Sequence, residues 1–250
     1  MSLAIFDLDN TLLAGDSDYL WGRHLVARGV VDGERYEAAN QRFYDDYRAG
    51  RLDIDAFLRF SLRPLAENTP EDLLRWREEF LEQHIAPIML PSARALVERH
   101  RAAGDTLMII TATNAFVTAP IAARFGIEHL IATEPERLAG RYTGAVAGAP
   151  AFREGKVARL GQWLEEHGAD LAGSHFYSDS INDLCADQAM STVELTAQSA
   201  YNGPMVVSHD ASDHFGGEVL SLDAGHLQHL LKRLVESGDA LSDRGLHPNR

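Results

Sequence analysis

The chain opens on a short apolar run, Leu3-Ala4-Ile5-Phe6, that stops abruptly at Asp7. Four apolar residues without alternation, closed by an acid, predict a strand buried on both faces that delivers a carboxylate at its carboxyl end. From residue 16 to about 85 strand signals vanish and apolar residues recur at helical spacing. Tyr19, Leu20, Leu25 and Val26 form one expected helix face. Leu73, Leu74, Phe80 and Leu81 form another, opened by Pro70-Glu71-Asp72 in the manner of a helix start. The stretch 16–86 therefore reads as a helical insertion, punctuated by Pro64, Pro70 and, at its end, Pro87.

Beyond the insertion, strand and helix alternate. The pattern predicts a helix over 92–103 ended by Gly104, a strand over 106–110, a helix over 114–125 stopped by Gly126, and a strand over 129–133. A glycine-containing hairpin over 136–147, a helix over 155–167 and a strand over 174–178 ending at Asp179 follow. Such alternation implies an α/β fold with right-handed crossovers: a Rossmann-like, doubly wound, mostly parallel sheet with helices on both faces. Ligands in such sheets sit beyond the carboxyl ends of the strands. Three strands are expected to end at useful chemistry: Asp7, Thr111 and Asp179. The expected organisation is a discontinuous core, 1–15 and 87–236, interrupted by the helical unit 16–86 and followed by a loose polar tail, 237–250. Near the end of the core, Leu227, Leu230, Leu231, Leu234 and Val235 make an amphipathic stripe.

Charge and cysteine content narrow the partners. There are 23 Lys and Arg against 37 Asp and Glu, a formal net charge of −14. A surface this acidic repels nucleic-acid phosphate and anionic lipid, so no nucleic-acid or membrane partner is expected. A small phosphate ester is still admissible, because a bound divalent ion reverses the local field. The lone Cys185 cannot form an intrachain disulfide, and no apolar signal core precedes Asp7, so a cytoplasmic enzyme is the expectation.

Four motifs carry chemistry. In Asp7-Leu8-Asp9-Asn10-Thr11, two carboxylates one residue apart can approach a single site if the chain turns there. They would repel by several kcal/mol at intermediate dielectric, so a cation is required; one can act as nucleophile and the other as acid and base. Thr111, after the apolar run Leu107-Met108-Ile109-Ile110, offers a hydroxyl to a phosphoryl oxygen. Lys156 stands at a helix start, where the dipole disfavours a cation unless an anion holds it. In Ser178-Asp179-Ser180-Ile181-Asn182-Asp183, two carboxylates four residues apart can border one mouth if a helix begins at Ser180. Such hard oxygen ligands suit Mg²⁺. Each motif alone has a plain structural reading as a solvated acid, a strand cap or a helix cap. Their occurrence together, in order, at strand ends that one parallel sheet would gather, is what points to a site.

With these motifs in place the chain resembles the haloacid dehalogenase superfamily of phosphatases, in particular subfamily IB, the phosphoserine-phosphatase-like branch with a helical C1-type cap inserted after the first strand. Asp7 to Thr11, Thr111, Lys156 and Asp179 to Asp183 match the four motifs, and the insertion 16–86 matches the cap. Gly15-Asp16-Ser17-Asp18, Ile110-Thr111-Ala112-Thr113-Asn114 and Tyr177-Ser178-Asp179-Ser180 are most similar to bacterial histidinol-phosphatases of this type. The resemblance implies that Asp7 becomes an aspartyl-phosphate. It implies that Asp9 protonates the leaving oxygen and then deprotonates water, its like-charged neighbours pushing it toward the protonated form. Mg²⁺ is implied on Asp7, the Asp9 carbonyl and Asp179, with Asp183 in the outer shell, and phosphoryl oxygens on Thr111, Lys156 and Asn182. Asp16 takes the place of an acid that reads a substrate amine, and Arg42, Tyr44, Tyr47 and Arg51 are further cap candidates. The implied reaction is hydrolysis of a small phosphorylated metabolite, histidinol phosphate first and phosphoserine second. Phosphotransfer to an alcohol, or a ligand-binding protein without turnover, are the alternatives.

After Leu184 the resemblance fades. Cys185-Ala186-Asp187-Gln188-Ala189 replaces the expected proline and leucines, and the nearest strand candidate is Met205-Val206-Val207-Ser208. The eleven histidines complete no zinc set of established spacing and read as solvated or structural.

Overall fold

The computed structural model describes residues 2–179, 194–198 and 204–206. Strand β1 (Leu3–Phe6) leads into four helices, α1 (Ser17–Ala27), α2 (Gly33–Arg48), α3 (Ile54–Glu67) and α4 (Pro70–Phe80). A π-helical turn (Leu81–Ile85) and a 3₁₀ turn (Ala86–Ile88) return the chain to α5 (Pro91–Ala103). Then come β2 (Thr106–Asn114), α6 (Ala115–Arg124), β3 (His129–Thr133), the hairpin β4 (Pro135–Leu138) and β5 (Arg141–Val146), α7 (Glu154–His167), β6 (His175–Ser178), β7 (Glu194–Gln198) and β8 (Pro204–Val206). Asn182, Asp183, Cys185, the leucine stripe and the tail expected over 237–250 lie outside the described residues.

The main sheet has the order β3-β2-β1-β6-β7-β8. Every neighbouring pair is parallel except β7 and β8. The chain winds outward from β1 through β2 to β3 and then crosses to β6 on the other side of β1. The ends of β1, β2 and β6 therefore border the place where the winding reverses, the usual seat of a ligand in such sheets.

Alternation along β1 explains the layering. Ala4 and Phe6 join the larger cluster with residues of α1, α4, α5 and α6, among them Trp21, Phe80, Val97 and Ile121. Leu3 and Ile5 face the opposite side and pack with Met108, Ile110, Phe176 and Leu160 of α7. Of the expected helix faces, Leu25, Leu73, Phe80 and Leu81 are buried, but Leu74 is 50% exposed. At helical spacing Leu73 and Leu74 lie about 100° apart, and only one of them can meet the core.

The two crossings between sheet and insertion lie side by side. Leu13 and Met89 form an isolated antiparallel bridge, the Leu90 N–H donates to the Leu12 carbonyl, and the Ala14 N–H donates to the Ile88 carbonyl. Helix starts in the insertion carry side-chain caps: Asp16, Asp32, Asp53 and Thr69 each accept a backbone N–H from the first turn that follows. No helix among the described residues is long and apolar enough to cross a membrane.

Candidate active site

The turn after β1 is set by Asn10, whose φ of +58° lies in the left-handed region that Asn tolerates better than most residues. Backbone N–H groups of Leu12 and Leu13 then fold back onto the Leu8 carbonyl. The turn brings Asp7 and Asp9 to one cavity, lined also by Asp16, Asp18, Thr111, Thr113 and Lys156 and walled by tyrosines and phenylalanines from the insertion.

Asp7 is buried at the end of β1, its N–H donated to the Tyr177 carbonyl at 2.8 Å. The Lys156 ammonium, itself only 4% exposed, donates to Asp7 Oδ1 at 3.1 Å. Lys156 is the third residue of α7, and the anion that holds it there is Asp7. Two local features set that helix start. Arg153 precedes it at φ +47°, and Gly155 packs so tightly that a Cβ would stand 2.0 Å from the Pro150 carbonyl oxygen.

Asp179 follows β6 and is tied to the first motif twice. The Thr11 hydroxyl donates to Asp179 Oδ1 at 3.2 Å and accepts the Asp179 N–H at 3.1 Å. Thr111 is buried and lines the cavity, but it does not end its strand. β2 runs on to Asn114 because it regains pairing with β3 at Asn114 and Thr133 after a register shift. That shift lies between Ile110 and Asn114, so the stretch carrying Thr111 and Thr113 departs from regular pairing beside the cavity.

Asp9 is clamped on both oxygens. The Ser17 N–H donates to Oδ1 at 2.7 Å, and the Thr113 hydroxyl donates to Oδ2 at 2.8 Å. Burial, reinforced by the Asp16 charge, pushes the Asp9 carboxyl up to about 7. Like-charged neighbours were the expected cause; enclosure by the protein is the larger one. Burial likewise raises Asp16 to about 6, against the opposing Tyr19 N–H that it accepts at 2.8 Å as the cap of α1. Asp18 rises to about 7 through burial and the Asp9 charge.

Of the other cap candidates, Tyr44 and Tyr47 line the cavity. Arg42 and Arg51 are not among its lining residues. Arg42 lies over the Phe43 ring at 5.0 Å, and Arg51 pairs with Asp46 at 3.2 Å. Asp18 and Thr113 also line the cavity, and Asn114 donates to Asp18, although nothing in their sequence setting marks them as site residues. A period-two reading of Thr111-Ala112-Thr113 would have placed both hydroxyls on one face.

Among the described residues no three His, Cys, Asp or Glu side chains gather into a set that could hold a metal. Mg²⁺ does not require one: it keeps several waters and takes one or two carboxylates. Asp7 and Asp179, hard oxygen donors at the ends of neighbouring parallel strands, fit that requirement.

The family profile of haloacid dehalogenase-like hydrolases matches residues 4–186, close to where the motif resemblance fades. The histidinol-phosphatase of Neisseria meningitidis serogroup C (strain 8013) is 48% identical over 187 residues, covering 73% of this chain and 84% of that protein. Phosphoserine phosphatase SerB1 of Mycobacterium tuberculosis (strain ATCC 25618 / H37Rv) is 30% identical over 184 residues, covering 72% of this chain and 60% of the relative. A crystal structure of a protein of unknown function from Bordetella pertussis Tohama I superposes with a TM-score of 0.72 at 45% identity, covering 77% of this chain and 88% of the other. With its parallel sheet, its strand-end acids and these relatives, the chain belongs to the haloacid dehalogenase-like hydrolase family, among its phosphatases.

Proposed function

We propose that the protein is a Mg²⁺-dependent phosphomonoesterase that acts through an aspartyl-phosphate on Asp7, with L-histidinol phosphate as its favoured substrate. The observation that carries the reading is the division of labour between two acids in one turn. Asp7 is buried and paired with Lys156, whereas Asp9 is clamped by Ser17 and Thr113 and held near neutrality. The neisserial relative, a histidinol-phosphatase, supports the substrate.

In this reading Asp7 attacks phosphorus and the bond from phosphorus to the substrate oxygen breaks. Asp9 delivers its proton to that leaving oxygen. The Asp9 carboxylate then takes a proton from water as the water oxygen attacks phosphorus, and the bond to Asp7 breaks to release phosphate. An acid raised to about 7 can serve both directions near neutral pH. Lys156 offsets the Asp7 charge so that an anionic phosphoryl group can approach, and Thr111 and Lys156 donate to its oxygens. Bound Mg²⁺, held by Asp7 and Asp179, would supply further stabilisation of developing phosphoryl charge. Asn182 and Asp183 would complete the phosphate and metal contacts. Residues 16–86 act as the cap over a core formed by 1–15 and 87–236, and the setting is cytoplasmic.

The test is phosphate release with Mg²⁺ from L-histidinol phosphate and L-phosphoserine, compared by kcat/KM, with an EDTA control and a generic aryl phosphate alongside. An EDTA-sensitive preference for histidinol phosphate is expected. Turnover of the aryl ester alone would reject the substrate, and release that EDTA leaves intact would reject the metal.

A further inference from the structure

We infer that Asp18 is a specificity-determining residue that receives a positively charged ring nitrogen of the substrate, separately from the amine assigned to Asp16; the inference rests on the phosphatase reading above. It starts from the order in which β2 presents its side chains. Thr111 lies nearest the start of the cavity-lining stretch, Thr113 holds Asp9 at 2.8 Å, and Asn114 holds Asp18 at 3.2 Å. Residues along an extended strand advance about 3.3 Å each. Asp18 lines the same cavity as Asp7, Asp9 and Lys156 and feels the Asp9 charge, so a substrate with its phosphate at Asp7 and Lys156 and its ester oxygen at Asp9 shares that cavity with Asp18.

The Asn114 amide cannot turn over without loss. Its Oδ1 accepts the Val117 N–H as the cap of α6, which leaves Nδ2 to donate to Asp18 Oδ1. Asp18 is thus presented in one orientation, and the described residues offer its Oδ2 no donor. Asp16 differs: its Oδ1 is occupied by the Tyr19 N–H. Lys156 is the one cation among the described residues lining the cavity, and it donates to Asp7. Among the described residues no cation answers Asp18. The same cavity carries an aromatic wall, with the Tyr19 and Tyr44 rings 5.1 Å apart. A flat, cationic ring meets both halves of that environment, stacking on the tyrosines while its N–H donates to the carboxylate. A primary amine alone uses only the acid.

Two measurements test this. In the unaltered enzyme, L-histidinol phosphate is compared with L-phenylalaninol phosphate, which keeps the amine, an aromatic ring and the phosphate but lacks ring nitrogens. A charge-assisted hydrogen bond corresponds to about a 10- to 100-fold advantage in kcat/KM for the imidazole. In Asp18→Asn that advantage should fall at least tenfold, mainly through KM of the imidazole substrate, with partial recovery in Asp18→Glu. Equal turnover of the two esters by the unaltered enzyme overturns the inference without relying on any variant's folding. So does an Asp18→Asn enzyme that retains the full ratio, or that loses both substrates alike. If neither ester nor an aryl phosphate releases phosphate, the phosphatase reading itself fails first.

Discussion

Two polar clusters lie on the same sheet and meet their charges in opposite ways. In one, His100 at the end of α5 is engaged on both ring nitrogens, Nδ1 with Asp105 and Nε2 with the Tyr177 hydroxyl, each at 2.7 Å. Ser2 donates to the other oxygen of Asp105. Burial holds the His100 imidazole below its ordinary range. Burial also works upward on Asp105, but the hydrogen bonds from Ser2 and His100 outweigh it and leave that carboxyl lowered. In the other cluster, at the strand ends, Asp9, Asp16 and Asp18 are all pushed up, because the protein encloses them and the described residues supply no matching cations. The first cluster is satisfied from within and braces β6, whose Tyr177 stacks on Phe6 and accepts the Asp7 N–H. The second is left to be satisfied from outside, which is what a binding site requires.

The largest break in this contrast should come from Lys156, the one cation that the described residues supply to the site. Lys156→Met leaves the buried Asp7 carboxylate without its ammonium and should cost about 3–5 kcal/mol of stability. The double variant Asp7→Asn with Lys156→Met should recover most of that loss in urea unfolding. A Lys156→Met protein as stable as the parent would mean that the pair is not what holds α7 to β1.

Next in size is the bracing network. Tyr177→Phe strands the second nitrogen of His100 in a buried position and should destabilise by about 1–3 kcal/mol, read as a lowered urea midpoint. An unchanged midpoint would remove the distinction between a satisfied and an unsatisfied cluster.

The smallest effect has the opposite sign. Asp18 has its folded pKa raised from 3.8 to about 7. The folded state therefore binds the proton more tightly, and the cost of the buried charge is absent below about pH 4 and fully developed above pH 7. A rise of that size would correspond to about 4 kcal/mol, reduced here because the side chain keeps some exposure to the open cavity. Asp18→Asn should accordingly raise stability by about 1–2 kcal/mol at pH 8 and by much less at pH 5. A variant less stable than the parent at pH 8 would make Asp18 an ordinary first-turn helix acid.

Much of the frame was legible in the sequence. Leu3–Phe6 and His129–Thr133 matched their expected bounds, and the hairpin and the helices after residue 90 fell within one or two residues of expectation. These segments have abrupt apolar boundaries or glycine stops, which are local signals. The overrun of β2 to Asn114 was not legible, because it depends on a register shift against β3. Helix α2 is mostly polar, so the insertion was readable only as helical in general. Asp7, Asp9, Thr111, Lys156 and Asp179 stood out by type and order. Thr113 and Asp18 did not, since a strand hydroxyl and a first-turn acid are common until the fold places one on Asp9 and the other in the cavity. His100 and Asp105 sit five residues apart with no motif around them, and only β6 gives them their third partner.

In the proposed mechanism Asp7 carries the phosphoryl group. Acid quenching during turnover of L-histidinol phosphate with Mg²⁺, followed by mass spectrometry of the peptide containing Asp7, tests it directly. One added phosphoryl group is expected on that peptide, present only with substrate and absent, together with turnover, in Asp7→Asn. Steady phosphate release by Asp7→Asn, or a phosphoryl group found on another residue, would contradict it.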